Sequence, residues 1–179
     1  MNVVNKIIHN FKNNKKLYIG EKVTMSEHMI QTAMLAEENN SSKSLVCACL
    51  LHDYGHFIVD DPELLVSKEL DGKHEELGFD FLKKYFVPEV TEPIKLHVLA
   101  KRYLCRKKSY YNLLSKASKV SLEFQGGAMN DVEEKKFTSL KFYKEAIKVR
   151  EYDDSGKIPN IRIKKIDDYQ ELISSQLII

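Results

Sequence analysis

Along this 179-residue chain, apolar positions recur at helical spacing over long stretches, and the alternation expected of half-buried strands is nearly absent. The pattern predicts helices over about 2–14, 24–38, 43–54, 72–86, 89–104, 112–125, 131–136, 139–154 and 166–175. Gly126-Gly127 stops the helix over 112–125, as glycine does past a helix end. Phe57–Asp71 is the longest predicted loop, turning at Asp60-Asp61-Pro62. No repeat or low-complexity segment interrupts the series. The expected architecture is all-α, a helical bundle in one domain over residues 1–179. Its core spans about 18–157, followed by a strapped-down tail over about 158–179.

Composition narrows the classes of partner. Hydrophobic residues make up 43% and charged residues 30%, as in ordinary globular proteins. A net charge of +2, with Lys and Glu interspersed, gives no electrostatic footprint for nucleic acid or a membrane surface. The segment MNVVNKIIHNFKNNKK lacks the apolar stretch of a signal peptide, and no apolar run reaches membrane-spanning length. Cys47, Cys49 and Cys105 are odd in number and lack framework spacing, which fits reduced thiols that pack as small apolar groups. The expectation is a cytoplasmic protein.

The histidines change the picture. There are six: His9, His28, His52, His56, His74 and His97. His52-Asp53 follows the apolar run Leu45–Leu51, which should be buried. A buried His-Asp pair needs partners, because unpaired polar groups and charges are costly in an interior. A metal ion satisfies both, taking charge from the aspartate and nitrogen from a neutral imidazole. His56 lies four residues after His52 and shares its face if the helix continues. Gly55 suggests that the helix ends there, which would put His56 beside the metal rather than on it. His28, on the preceding helix, can face the same point. Late in the chain, Arg150, Asp153 and Asp154 cluster on a helix returning to the core. This His…His-Asp…Asp arrangement, from His28 to Asp154, resembles the HD superfamily.

One metal needs only His28, His52, Asp53 and the late aspartate. His74 and His97, on the two intervening helices, are additional. Four imidazoles and two carboxylates suit two metals bridged by Asp53, and the mixed nitrogen and oxygen donors fit iron, manganese or cobalt. No thiolate joins the set, which argues against structural zinc or an iron–sulfur cluster. Such a pair can activate water against a phosphate ester, or bind dioxygen at one ion and substrate at the other. The ligands alone leave open an oxygenase, a metal-dependent phosphohydrolase acting on a nucleotide or phosphoester, and an inactive HD module.

The flanking residues narrow the choice. They are Tyr18-Ile19-Gly20-Glu21 before His28, Leu50-Leu51-His52-Asp53-Tyr54-Gly55-His56 and His74-Glu75-Glu76-Leu77-Gly78. After these come Leu96-His97-Val98-Leu99-Ala100-Lys101-Arg102-Tyr103-Leu104-Cys105, Gln125-Gly126-Gly127, and Arg150 with Asp153. Over roughly Tyr18 to Lys157 the chain resembles the PhnZ-like HD-domain diiron oxygenases, which cleave the C–P bond of 1-hydroxyphosphonates. The resemblance implies an Fe(II)/Fe(III) pair on His28, His52, Asp53, His74, His97 and Asp153. The Arg150-x-x-Asp153 spacing, with Lys157 four residues on, favours Asp153 over Asp154. It also implies that dioxygen and an organophosphonate are the substrates, with phosphate and a carboxylic acid released.

Physical chemistry adds roles to the neighbours. Lys101, one turn past His97, offers a cation to a phosphonate dianion. Ser118, Ser121 and Gln125 form a polar stripe at helical spacing, able to donate hydrogen bonds to its oxygens. Arg150 completes that clamp or pairs with Asp154. Glu21, near the expected pocket mouth, suits a substrate ammonium group, which favours 2-amino-1-hydroxyethylphosphonate, converted to glycine and phosphate. The resemblance implies that Tyr18 can occupy an iron site until substrate arrives. His56 and Lys101 are the catalytic candidates.

Overall fold

The computed structural model describes residues 2–18, 20–58 and 73–178, and among these it contains helices and no named strand. Helix α1 spans Val3–Asn13. Helix α2, Met25–Glu38, starts at a reciprocal cap in which the Thr24 side chain accepts from the Glu27 amide and Glu27 reaches back to the Thr24 amide. Helix α3, Lys43–Leu51, is capped by Ser42. The chain then tightens into a 3-10 turn over Tyr54–Phe57. Helix α4 is His74–Leu82 and α5 is Pro88–Leu104, with Pro88 in the first turn, where its missing N–H costs nothing. Next come α6, Lys108–Leu113, and α7, Lys116–Phe124. Helix α8 is Asp131–Thr138, and α9 is Tyr143–Ser155. A 3-10 turn over Ile166–Tyr169 leads into α10, Gln170–Ser175.

Helix α5 runs through the middle, packed against α3, α4 and α9, while α2 covers α3 and α9. The main core joins α1, α2, α3, α5 and α9 through residues such as Ile7, Met29, Leu50, Ile94 and Val149, none measurably exposed. A smaller cluster of Leu96, Ala100, Met129, Phe137 and Ala146 seals the other side of α5. No helix among the described residues is long and apolar enough to cross a membrane.

Several boundaries depart from the sequence reading. The helix expected over 112–125 is two helices. Leu114 is extended (φ −60°, ψ 142°), and Ser115 accepts a hydrogen bond from the Ser118 amide to start α7. The serine cap competes successfully with continuation, and Leu114 is buried against Cys105 and Leu122. Helix α3 stops at Leu51 rather than at 54, so His52 and Asp53 sit on the turn that leaves it. Helix α4 ends at Leu82, after which Phe86 pairs with Leu177. Helix α9 begins at Tyr143 rather than 139. The turn expected at Asp60-Asp61-Pro62 lies outside the described residues. The main core also draws on segments beyond 18–157: Val4, Ile7, Ile8 and Phe11 before it, and Ile166, Tyr169 and Ile173 after it.

Candidate metal centre

Turns and helix faces deliver the site. His28 projects from α2 and is fully buried. Its Nδ1–H donates to the carbonyl of Gly156 at 2.9 Å. Gly156 must be glycine for this approach, since a Cβ there would stand 2.6 Å from Thr32 Oγ1 and 3.2 Å from the His28 carbonyl. His52 donates from Nδ1 to the Cys49 carbonyl at 2.8 Å, and His97 to the Ile94 carbonyl at 2.7 Å. A carbonyl only accepts, so each of these rings carries a proton on Nδ1 and turns Nε2 inward.

Those inward nitrogens meet. His28 Nε2 and His52 Nε2 are 3.2 Å apart, and so are His74 Nε2 and His97 Nε2. Two bare lone pairs cannot share a hydrogen bond, so the first contact suits either a proton on one ring, which Asp53 and Asp153 favour on His52, or a metal ion taken by both. Asp153 Oδ1 lies 3.3 Å from His28 Nε2 and 4.0 Å from His52 Nε2. Asp53 divides its oxygens. Oδ2 faces His52 at 3.4 Å and His28 at 3.7 Å, while Oδ1 faces His74 at 3.2 Å and His97 at 3.5 Å. Asp53 Oδ2 and Asp153 Oδ1 are buried without a hydrogen-bond partner. Spacings near 3.2–3.5 Å are those between adjacent ligands of one ion held at about 2.0–2.2 Å. Two groups of donors result, His28/His52/Asp153 and Asp53/His74/His97. The donor chemistry and the orphaned carboxylate oxygens fit two ions with Asp53 between them.

The electrostatics agree with this fit. Burial opposes a charge on Asp53, yet His52 and His74 hold its carboxyl well below the usual range. Burial likewise opposes Asp153, which Arg150 and Lys157 keep ionised. Burial, aided by the charge of His74, takes His97 down to about 3, leaving the neutral imidazole that a metal requires.

Around the donors stands a cationic wall. Lys101 is 2% exposed, and its Nζ donates to Ser121 Oγ at 2.6 Å and to Gln125 Oε1 at 2.8 Å. Burial first, then the Arg150 charge, pull Lys101 down to about 7. Ser118 Oγ accepts from Arg150 at 3.5 Å and from Lys157 at 3.3 Å. Arg150 pairs with both neighbouring carboxylates, reaching Asp153 Oδ2 at 2.5 Å and also binding Asp154. Both uses foreseen for Arg150 therefore compete, and its charge is already balanced by two carboxylates. Asp153 turns to the histidines, while Asp154 turns to Arg150 and Tyr110.

Tyr18 stacks on the His28 ring, with centroids 4.2 Å apart and planes at 11°. Glu21 closes the turn from Tyr18 (amide to carbonyl, 2.9 Å), and its Oε1 is buried without a partner. Among the described residues, Glu21 forms no hydrogen bond or ion pair with the cations or the metal donors. The shortened α3 places His56 on the 3-10 turn, stacked on His74 at 4.2 Å and 16° rather than aligned with His52. His9 is exposed on α1. Three neighbours of the site carried no role in the sequence reading: Lys157 with Nζ 3.6 Å from Asp153 Oδ1, Glu75 with Oε2 3.6 Å from His74 Nδ1, and Tyr110. The spacing of Lys157 from Asp153 was a usable signal for the first, and Tyr110 had none.

The HD domain model matches residues 25–151. The chain is 39% identical over 162 residues to hydroxymethylphosphonate dioxygenase of Gimesia maris, covering 89% of this chain and 81% of that protein. It is 42% identical over 141 residues to a [1-hydroxy-2-(trimethylamino)ethyl]phosphonate dioxygenase (glycine-betaine-forming) of Leisingera caerulea, covering 78% and 72%. An uncharacterized protein, L432, of Acanthamoeba polyphaga mimivirus is 37% identical over 163 residues, 89% of this chain and 74% of that one.

Proposed function

This chain belongs to the HD-domain family, and from that membership we propose that it is a dinuclear oxygenase using dioxygen to cleave the C–P bond of a 1-hydroxyphosphonate. Relatives at 39% and 42% identity bear the names of phosphonate dioxygenases. The observation that carries the reading is the pairing of two donor groups through Asp53 with a buried lysine one turn beyond His97. Metals and anion receptor thus share one interior.

His28, His52 and Asp153 would hold one ion, and His74 and His97 the other, with Asp53 offering an oxygen to each. We assign iron, as Fe(II)/Fe(III). Bound there, the pair supplies the redox chemistry and the place for dioxygen. The protein's own groups bind and orient. Lys101 Nζ is preset by Ser121 and Gln125 to meet a phosphonate oxygen, so little reorganisation accompanies binding. The Ser118 hydroxyl, between Arg150 and Lys157, offers a further hydrogen bond to the same group. The burial of Lys101 and Arg150 strengthens their field, because little water screens it. Tyr18, lying on His28, closes that side against water.

The two named substrates of the relatives differ beyond C1, and Glu21, on the turn after Tyr18, is the carboxylate we propose for that end. A buried, unpartnered carboxylate oxygen stabilises a primary ammonium by charge and by hydrogen bonding, whereas a trimethylated nitrogen has no N–H to give. We therefore favour 2-amino-1-hydroxyethylphosphonate. With one dioxygen it gives glycine and phosphate, the atoms balancing without a further reactant. The test is phosphate release by the iron-loaded protein with and without dioxygen. Release only with dioxygen supports the oxygenase, and equal release under strict anaerobiosis shows hydrolysis instead.

A further inference from the structure

Asp153 offers the histidines only one oxygen, because the other is taken. Oδ1 faces His28 and His52, while Oδ2 accepts from Arg150 Nη1 at 2.5 Å. A guanidinium left to itself binds a carboxylate with two parallel N–H groups, which here would engage both oxygens of Asp153. Arg150 does not, because its other donors are occupied. Nη2 binds Asp154 Oδ1 and reaches Ser118, and Nε lies 3.3 Å from both Asp154 Oδ2 and the Tyr110 hydroxyl. Asp154 is fixed in turn by the Tyr110 O–H, which donates to Oδ2. The Tyr110 ring is half-buried on α6, packed against Cys105, Leu114 and Leu122. The extended Leu114 and the Ser115 cap that split the predicted helix are what leave α6 as a separate element presenting Tyr110.

The geometry points to Tyr110 as a positioning residue for the metal centre, acting through Asp154 and Arg150 to keep Asp153 a one-oxygen ligand. This rests on the reading of Asp153 as a metal ligand. Tyr110 touches neither metal donors nor the reacting atoms. It keeps Asp154 on the surplus donors of Arg150, so that of the two cations beside Asp153 only Lys157, at 3.6 Å, faces Oδ1. In Tyr110→Phe, Asp154 loses the hydrogen bond on Oδ2 and is held by Arg150 alone, so Arg150 shifts part of the time toward both oxygens of Asp153 and the ion on His28 and His52 then loses a ligand. The ion on Asp53, His74 and His97 keeps its donors.

The test is anaerobic Fe(II) titration against a competing chelator, with the melting temperature of the metal-free protein measured alongside. Tyr110→Phe is expected to weaken one of two binding steps by about tenfold, the low end for a residue that braces a metal ligand, and to leave the other unchanged. Asp154→Asn should weaken the same step, and the double variant should be no worse than the more affected single one. The metal-free melting temperature of Tyr110→Phe should stay near that of the unaltered chain. Asp153→Ala is the reference and should abolish that step. If Asp153→Ala removes one step but Tyr110→Phe changes neither, or weakens both equally with a fall in melting temperature, the positioning role is overturned and the ligand reading stands. If Asp153→Ala leaves both steps intact, the ligand reading itself fails and takes the inference with it.

Discussion

The two donor groups share Asp53 and the same chemistry, yet the fold holds them differently. In His28/His52/Asp153 all three side chains are at most 1% exposed, both rings are braced by carbonyls, and Arg150 grips Asp153 from behind. In Asp53/His74/His97, His97 is equally braced from the middle of α5, but His74 is the first residue of the nine-residue α4 and its side chain is 12% exposed. The first group is a product of core packing, since the helices carrying it cannot associate without assembling it. The second depends on one short helix docking beside Gly55 and Gly78. The difference predicts a tightly held inner ion and a more exchangeable outer one.

The most severe way to break that comparison is to fill the notch under α4. A Cβ on Gly55 would stand 1.9 Å from the His74 carbonyl oxygen, and this is backbone that cannot rotate away. Relieving the overlap moves α4 and costs about 1–3 kcal/mol or more. Gly55→Ala is expected to lose the outer ion, keep the inner one and retain helical circular dichroism. Metal analysis and spectra of the purified variant check this, and retention of both ions would show that the outer group does not depend on the notch.

Lys101→Ala should separate anion binding from metal binding. It removes a buried charge-assisted contact worth about 2–3 kcal/mol, a loss of roughly 30–150-fold in affinity for the phosphonate. Metal content should not change, and a collapse in iron with unaltered affinity would reverse the assignment. The same residue predicts a pH dependence. Burial, then the Arg150 charge, set Lys101 to about 7, so it is a cation below that value and neutral above it. Phosphonate affinity should therefore fall as pH rises through 7, and Lys101→Arg should flatten the profile. Dissociation constants measured across that range decide it.

The smallest expected effect is at Glu21. Glu21→Gln keeps the shape and removes the charge, a change of about 1 kcal/mol at a partly exposed site, or roughly fivefold in preference for the amino substrate over hydroxymethylphosphonate. Competition between the two substrates measures the ratio, and an unchanged ratio would remove Glu21 from the pocket.

Legibility in the sequence followed the same division. His52-Asp53 could be read because an apolar run delivers it to the interior, and Lys101 because one helical turn joins it to His97. The fate of His56 turned on where α3 ends, and Gly55 gave the hint that the structure bears out. Tyr110 left no local trace. Its reach to Asp154, 44 residues on, exists only after the chain breaks at Leu114-Ser115, and that break reflects a serine cap and a buried leucine that helical periodicity does not register. The tail is expected as a strap over the bundle, and Ile166, Tyr169 and Ile173, which recur at helical spacing, each enter the core.

The claim beneath all of this is a dinuclear centre with unequal halves, and counting metal tests it most directly. Protein produced with iron should hold about two equivalents per chain, and His74→Ala about one, the inner ion remaining on His28, His52 and Asp153. A single equivalent in the unaltered protein, unchanged by His74→Ala, would contradict the account.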